Sequence, residues 1–432
     1  MIHFLKIDQN EYSVFKLHLI FSVLQGLLVG VFALNEYVFI KDLLGTDYQL
    51  SVLLQFSALV YLFSIFVSEI LRRISNKRKI LRVAAIITHL PLMGLLFFPT
   101  NPEAYTNDSL FNYLFLAMFF MFYLHTVIVL PVINQMLKNN YRHNNFSRLY
   151  SYSSSLNKIV IMITTIGFGF LLDIDNFSFV YVYPTVAVFG ITSIFLLSRI
   201  SYPDKPKLRQ SFAKAVTNSL LETISILKTN KPYLHFEIGF MFYGFGWMMA
   251  ATVIPIYFNE VLGMNHATYG FYKNGYNLLA ILLLPFFGNL MGRIDPRKFG
   301  VFTFGSMMLY LLFILLTSFY PQYWQIGTIR IYPMLLISYG FYGVFAATMA
   351  LLWFIGSAYF CKKEDAAQYQ SIHLTLTGVR SIFAFQIGIL FYQGLGFVFT
   401  FGLAAFSLFL SVLIMYFSYK NRKYFLAHGE IL

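Results

Sequence analysis

The chain has 432 residues, of which 58% are hydrophobic, 19% aromatic and 11% charged, with a formal net charge of +13. So small a charged fraction excludes an ordinary soluble globular protein, in which about 25% of residues are charged, and also an intrinsically disordered one. The basic balance alone does not indicate nucleic-acid binding, because that function requires a basic face on a soluble fold.

The apolar residues form long blocks separated by short polar segments. A helix needs about 20 apolar residues to cross the roughly 30 Å hydrocarbon core of a bilayer. The sequence therefore predicts an all-α membrane protein. In chain order the blocks predict twelve membrane-spanning helices, at residues 14–41, 48–71, 80–99, 110–137, 150–172, 176–198, 233–258, 267–291, 299–320, 332–360, 370–394 and 397–419.

The Lys and Arg residues orient these spans. Twenty-six of the 31 lie in alternate loops and near the two termini, whereas the opposite loops hold only Lys41 and Arg330. Cytoplasmic loops of membrane proteins carry the excess of Lys and Arg. We therefore predict a multi-pass protein of the cytoplasmic (inner) membrane, in contact with the lipid bilayer, with its N- and C-termini in the cytoplasm.

The longest polar segment divides the spans into two groups of six. Between residues 208 and 227, Leu, Phe, Val and Ile recur every three or four residues with Lys and Arg between them. This pattern is typical of an amphipathic helix at a membrane surface. We predict an N-terminal six-helix bundle at 1–199, a cytoplasmic amphipathic linker at 200–232 and a C-terminal six-helix bundle at 233–432.

The two halves repeat each other weakly. IKDLLGTDYQ at 40–49 ends the first span, and FNEVLGMNHA at 258–267 ends the seventh. Basic turns follow spans two and eight, with SEILRRISNKRK starting at 68 and GNLMGRIDPRK starting at 288. Six plus six spans, a long basic linker and basic turns at equivalent places resemble the major facilitator superfamily.

The resemblance implies a cytoplasmic gate at the turns after spans two and eight. In the second turn Arg297 and Lys298 complete the family's basic pattern, but Gly292 stands at its acidic position. Glu237, near the inner end of span seven, is interpreted as a further gate residue or as a partner of Lys231 or Arg380. The residues predicted to take part in gating are Glu69, Arg73, Gly288, Arg293 and Glu237.

Three cations, Lys158, Lys273 and Arg380, lie well inside predicted spans rather than at their ends. A charge at the bilayer centre costs about 2.5–3.5 kcal/mol on insertion scales, so each is expected to face water or a partner. Lys158 and Arg380 are 222 residues apart and occupy equivalent positions of spans five and eleven. We predict that they contact the substrate or serve coupling; the alternative is a structural ion pair. Lys273 either joins them or extends to the interface.

Glu36 in span one is the candidate counter-ion. It is either a proton-binding acid in the cavity or an exposed carboxylate at the rim. His125 in span four is either a proton relay or a buried imidazole with satisfied hydrogen bonds. The resemblance implies that spans one and seven line the cavity, which adds Gln25 and Trp247 to the predicted substrate-binding or coupling residues.

The sequence predicts no enzyme. No loop offers a cluster of Asp, His or Ser at a membrane face, since Asp173 and Asp175 are taken to stand alone. The chain has no Gly-rich phosphate loop, and its one cysteine, Cys361, cannot form a multi-thiolate metal site. We therefore expect neither a cofactor nor a bound metal.

An excess of cations over acids inside the spans favours a small anionic or zwitterionic solute. The sequence predicts a monomeric secondary active transporter that moves such a solute by alternating access, with a proton as the coupling ion. One alternative is an exporter of amphiphiles, lipids or drugs, although IMITTIGFGFLLD in span five lacks the Gly-Pro pattern of the family's antiporters. Another is a transporter-derived receptor that does not transport, because a fold alone does not establish a function.

Overall fold

The computed structural model describes residues 7–74, 76–201, 211–291, 293–361 and 365–421. Within these ranges a two-stranded antiparallel hairpin, β1 (Trp324–Ile326) and β2 (Ile329–Ile331), lies in the loop before predicted span ten, where no strand was expected. The helices in chain order are α1 (Gln9–Phe32), α2 (Asn35–Lys41), α3 (Asp47–Leu59), α4 (Ser64–Arg73), α5 (Lys77–His89), α6 (Leu110–Asn140), α7 (His143–Ile174), α8 (Phe179–Leu197), α9 (Phe212–Thr229), α10 (Lys231–Glu260), α11 (His266–Met291), α12 (Pro296–Thr317), α13 (Pro333–Ile355) and α14 (Ala366–Lys420).

Among the described residues, ten helical stretches are long and apolar enough to cross a membrane. Predicted span two adds a further stretch, because α3, a 3-10 segment at Val60–Phe63 and α4 follow one another. Helix α14 covers two predicted spans, and Gly396 within it has φ +80° and ψ 177°. That backbone conformation favours glycine and breaks the helix between predicted spans eleven and twelve. The all-α membrane fold is confirmed, and twelve spans are consistent with the structure.

The first predicted span is interrupted rather than continuous. Helix α1 ends at Phe32, and the Leu34 N–H bonds the Val31 carbonyl at 3.2 Å, which tightens the chain into a turn. Helix α2 then starts at Asn35. The turn changes the direction of the chain. The short helix α2 then positions Glu36 within it and Asp42 in the loop directly after it.

The chain divides into two compact units. Unit 1 comprises Met1–Gln49, Phe66–Gln210 and Asn265–Asn274, and unit 2 comprises Leu50–Ile65, Ser211–Met264 and Gly275–Leu432. Each unit therefore includes a segment from both predicted halves of the sequence. The linker helix α9 is present at Phe212–Thr229, while residues 202–210 of the predicted linker lie outside the described residues.

Unit 1 is held together by close contact of α1 with α7. Gly26 and Gly30 are one turn apart on α1, and a Cβ atom on Gly30 would lie 2.7 Å from the Thr164 Cβ. The Thr165 hydroxyl donates to the Gly30 carbonyl at 2.7 Å. Small residues at this spacing let two helix backbones approach within a membrane, so the α1–α7 contact fixes the helix that leads to Glu36.

Unit 2 uses the same device between α10 and α14. A Cβ atom on Gly388 would collide with the Met249 backbone, and the Ser411 hydroxyl donates to the Gly239 carbonyl at 2.7 Å. A buried apolar cluster that includes Met248 and Phe385 packs beside this contact. The close contact between α10 and α14 therefore fixes the positions of the buried polar groups on these two helices.

Candidate functional site

Glu36 of unit 1 is buried and paired. Its Oε1 accepts a hydrogen bond from the Tyr269 hydroxyl at 2.8 Å and forms an ion pair with the Lys273 ammonium. Tyr269 and Lys273 are one turn apart on α11, so a single helix face supplies both donors. Two of the predicted site residues, Glu36 and Lys273, are therefore brought together, and the partner of Glu36 is Lys273 rather than Lys158 or Arg380.

A second polar cluster in unit 1, here called the Asp–His–Asp cluster, consists of Asp42, His266 and Asp173. The His266 ring bonds Asp42 Oδ2 through Nε2 at 2.8 Å and Asp173 Oδ1 through Nδ1 at 3.0 Å. The backbone N–H groups of His266 and Ala267 also donate to Asp173, at 2.8 and 3.0 Å. The expectation that Asp173 stands alone was wrong, because its partners lie about 90 residues later in the chain, beyond the range of any local pattern.

Burial dominates the electrostatics of this cluster. The side chains of His266 and Asp42 are each 1% exposed. Burial raises the pKa of Asp42 above its ordinary value, while the hydrogen bond and charge of His266 and the charge of Lys41 act in the opposite direction. Burial therefore outweighs these two cations and favours the protonated form of Asp42, compared with a solvent-exposed aspartate.

Gln25 has a structural contact in unit 1. Its amide donates to the Ser193 hydroxyl of α8 at 2.8 Å, and that hydroxyl donates to the Gly190 carbonyl at 2.7 Å. His125 of α6 is buried, and its ring nitrogen lies 2.6 Å from the Phe122 carbonyl of its own helix. Both side chains are thus engaged with the protein itself.

Lys158 has a different environment from the other two cations. Its side chain, on α7 in unit 1, is half-buried and makes no hydrogen bond or ion pair with any described residue. An ammonium in this position needs water or a ligand for its three donors. Lys158 therefore remains a candidate contact for an anion.

Arg380 of unit 2 is the most deeply buried of the three, at 3% exposure. Its guanidinium donates to the Phe240 carbonyl and lies over the Tyr243 ring, 5.8 Å from the centroid. Gly244 makes room for the group, since a Cβ there would collide with the guanidinium. The Nε atom of Arg380 has no hydrogen-bond partner, and no carboxylate among the described residues forms an ion pair with this cation.

Glu237 and His373 lie beside Arg380 in unit 2. The His373 Nδ1 is 3.1 Å from both oxygens of Glu237, and both side chains are buried. The other ring nitrogen of His373 has no hydrogen-bond partner in the described part of the chain, and the Trp353 ring centroid lies 4.5 Å from that of the imidazole. The observed partner of Glu237 is thus His373, about two turns before Arg380 on α14.

Trp247 belongs to an aromatic cluster in unit 2. Its ring lies 5.8 Å from that of Tyr342 and 6.3 Å from that of Tyr310, and Tyr276 and Tyr342 meet edge to face at 4.4 Å. Tyr243, which carries Arg380 above its ring, reaches the same cluster through Phe345 at 5.8 Å. Arg380 therefore stands at the polar end of a continuous aromatic surface.

The predicted gate residues lie on three helices, α4, α10 and α11, and in the turn after α11. Glu69 and Arg73 form an ion pair of 2.6 Å one turn apart on α4, Arg293 is exposed, and a side chain on Gly288 would enter open space. Gly292 lies outside the described residues. The nearest acid to the second basic turn is Asp295, which holds the fully buried Arg297 at 2.9 Å. The acidic partner in this turn therefore comes after, not at, the position that the resemblance implied.

Comparison with known proteins identifies the family. A sequence model of the Major Facilitator Superfamily matches residues 18–352. The chain belongs to the major facilitator superfamily. No curated protein matches this member of the superfamily.

Solved structures of similar fold agree with this assignment. A D-xylose-proton symporter is 14% identical, with a TM-score of 0.63 over 96% of this chain and 99% of that one. A POT family transporter in complex with 5-aminolevulinic acid is 15% identical, with a TM-score of 0.68 over 94% of each chain. A nucleoside transporter is 13% identical, with a TM-score of 0.64 over 96% of this chain and 100% of that one. At such identities the likeness establishes the major facilitator fold.

Proposed function

We propose that this member of the major facilitator superfamily is a secondary active transporter for a small anionic or zwitterionic solute, driven by protons and working by alternating access. The environment of Arg380 is the observation that supports this substrate class. A guanidinium stays protonated in proteins, and its burial without a direct ion pair to a carboxylate of the described residues is energetically unfavourable. Glu237 acts on Arg380 electrostatically but forms no ion pair with it. A carboxylate or phosphate of the substrate would supply the missing counter-charge through charge-assisted hydrogen bonds.

The surroundings of Arg380 support a ligand rather than a structural role. Its Nε and one ring nitrogen of His373 are buried polar atoms without hydrogen-bond partners among the described residues, although the large majority of buried side-chain polar atoms are hydrogen-bonded in native proteins. The adjoining aromatic surface around Trp247 and Tyr342 suits an apolar or cationic portion of the same molecule. Lys158 is proposed as the second cation at the substrate.

Glu36 is the proposed site of the coupling proton. It is a buried carboxylate whose ion pair with Lys273 would be lost on protonation. Among the proteins of similar fold, one is described as a proton symporter. In this proposal the charge state of one residue in unit 1 selects between states of the transporter, and Arg380 in unit 2 holds the substrate.

We further propose that the chain is a monomer in the inner membrane with both termini in the cytoplasm. Alternating access then involves the two bundles predicted at 1–199 and 233–432. A topology test uses single cysteines introduced at Lys79 and at Asp175 after Cys361→Ser, with a maleimide that does not cross membranes. Labelling of the Asp175 position alone in intact cells is expected, and labelling of the Lys79 position alone would reverse the orientation.

The substrate test begins with a thermal-shift screen of anionic, zwitterionic, neutral and cationic metabolites on the purified protein in nanodiscs. Uptake of each hit is then measured in proteoliposomes. Removing a charged partner costs about 2–5 kcal/mol, so Arg380→Gln should lower affinity for an anionic hit at least about 30-fold, and Arg380→Lys less. Lys158→Gln should also impair uptake. The matched control is Arg199→Gln, since Arg199 is exposed and outside the site.

Two outcomes would reject the substrate class. One is that only neutral or cationic compounds stabilise the protein, which would favour an exporter of amphiphiles or drugs. The other is that Arg380→Gln binds and transports the anion as well as the native protein does. For coupling, Glu36→Gln should retain exchange of substrate across the membrane and lose accumulation driven by a pH gradient; accumulation at the native level would remove Glu36 from that role.

A further inference from the structure

We propose that Asp42, His266 and Asp173 form a second proton-binding site, in addition to the one proposed at Glu36, in which one proton latches the start of α11 to Asp42. The site is independent of the substrate class proposed above. It lies wholly within unit 1, where the loop after α2, the last turn of α7 and the first turn of α11 meet.

The hydrogen-bond count requires the extra proton. Each ring nitrogen of His266 faces a carboxylate oxygen, at 2.8 and 3.0 Å. A neutral imidazole donates from only one nitrogen, and an ionised carboxylate only accepts. Both contacts can be hydrogen bonds only if the cluster holds one proton more than a neutral imidazole and two carboxylates.

Burial makes that proton matter. With it, the cluster carries a net charge of −1, and without it −2, in a site where Asp42 is 1% exposed and its Oδ1 atom has no partner. A second uncompensated negative charge is strongly disfavoured away from water. The charged and titratable groups that face the cluster from neighbouring elements are Lys41 and Tyr37 of α2, Glu36 with its partner Lys273, Tyr269 of α11 and Tyr183 of α8.

The two carboxylates are not equivalent, which identifies the bond that the proton controls. Asp173 keeps the backbone N–H groups of His266 and Ala267 whatever the charge of the ring. Asp42 is bonded to the cluster through His266 Nε2 alone. When the proton leaves, the imidazole keeps its N–H toward Asp173 and turns a lone pair toward Asp42, so the Asp42–His266 contact becomes repulsive and opens.

The direction of the pH dependence follows. The latch contributes stability while His266 is an imidazolium and loses it as pH rises through the titration of the ring. Histidine ordinarily titrates near pH 6.5, so the informative range runs from about pH 6 to about pH 9. In mild acid, burial raises the pKa of Asp42, and the carbonyl oxygen of a protonated Asp42 still accepts from the Nε2–H of the imidazolium, so the latch persists.

The test is the melting temperature of the purified protein in nanodiscs across that pH range. For the native protein it should fall by several degrees as pH rises. His266→Gln removes the titrating ring and should abolish this fall. Asp42→Asn places an amide donor opposite Nε2, so it should keep the melting temperature at pH 9 near its own value at pH 6. Asp175→Asn, an exposed acid two residues after Asp173, is the matched control and should behave like the native protein.

A native protein whose pH dependence equals that of Asp42→Asn would overturn the proposal. If His266→Gln does not fold, the comparison of native protein with Asp42→Asn decides alone. A failure of the substrate proposal would appear as unimpaired uptake by Arg380→Gln and would leave these melting profiles untouched, so the two proposals are tested separately.

Discussion

Unit 1 and unit 2 both bury charged side chains among their membrane-spanning helices, but the buried carboxylates of unit 1 and Arg380 of unit 2 are compensated differently. In unit 1 the carboxylates of Glu36, Asp42 and Asp173 all face Lys273 or His266. In unit 2 Arg380 has a backbone carbonyl and an aromatic face, and its Nε atom has no partner. Paired charges store protonation and conformational states, whereas an unpaired buried cation is prepared for a ligand that brings the opposite charge.

The largest effect that would sharpen this contrast is expected from Gly244→Ala. The added Cβ would occupy the space of the Arg380 guanidinium and force it to move. Misplacing a binding group in this way costs roughly 10- to 100-fold in rate. We expect a loss of that size in anion uptake by proteoliposomes, although no charge is removed.

Gly305→Ala is the control for that variant, because a Cβ there meets nothing within 4 Å and alanine favours a helix by about 1 kcal/mol. It should transport normally. Uptake by Gly244→Ala at the Gly305→Ala level would show that the position of the guanidinium is unimportant, and the contrast between the units would lose its functional meaning.

A smaller effect is expected from breaking the paired side of the comparison. Removing one partner of a buried ion pair costs about 3–5 kcal/mol, and the partial exposure of Lys273 reduces the expected cost to about 1–3 kcal/mol. Lys273→Met should destabilise more than Glu36→Gln, because a stranded Glu36 stays buried while a stranded Lys273 reaches water.

Thermal unfolding of the two single variants and the double variant Glu36→Gln/Lys273→Met measures this coupling. The double variant should be more stable than Lys273→Met alone. Additive losses would mean that the two charges do not interact. Glu36 and Lys273 would then be uncompensated charges, as Arg380 is.

Local patterns explain how much of this could be read from the sequence. Hydrophobic blocks predicted the helices, and even the break in α14 falls between two predicted spans, because bilayer thickness imposes a length on each segment. The offset of 222 residues placed Lys158 and Arg380 at equivalent positions, yet one is half-buried and the other almost fully buried. A repeat in the sequence fixes register along a helix and leaves the packing around each side chain undetermined.

The contacts of His266 with Asp42 and Asp173 could not be predicted from local patterns. Nothing within a helical turn of His266 marks it, and its two acids come from segments far earlier in the chain. The one available signal was that Asp42 and His266 lie in the repeated segments 40–49 and 258–267, at different positions of the repeat. A search for complementary charges between equivalent loops would have proposed that contact.

The smallest effect is expected for a neutral polar pair. It tests whether the stabilisation seen for the pairs of unit 1 requires charge or only a hydrogen-bond partner. Within unit 2, the Gln55 amide donates to the Ile382 carbonyl at 3.0 Å and accepts from Gln386 at 2.6 Å. Hydrogen bonds between membrane helices average about 0.6 kcal/mol and reach about 1.7. Gln55→Leu should therefore lower the free energy of unfolding by about 1–2 kcal/mol.

The double variant Gln55→Leu/Gln386→Leu should recover part of that loss, because it removes the amide that Gln55→Leu leaves without a partner. Ser57→Ala is the control, since that hydroxyl bonds only the Leu54 carbonyl of its own helix at 2.8 Å. Unfolding in a detergent titration supplies the measurement. If the double variant is less stable than either single one, the two glutamines act through separate contacts. They would then not form a neutral pair whose contribution to stability can be compared with that of the charged pairs of unit 1.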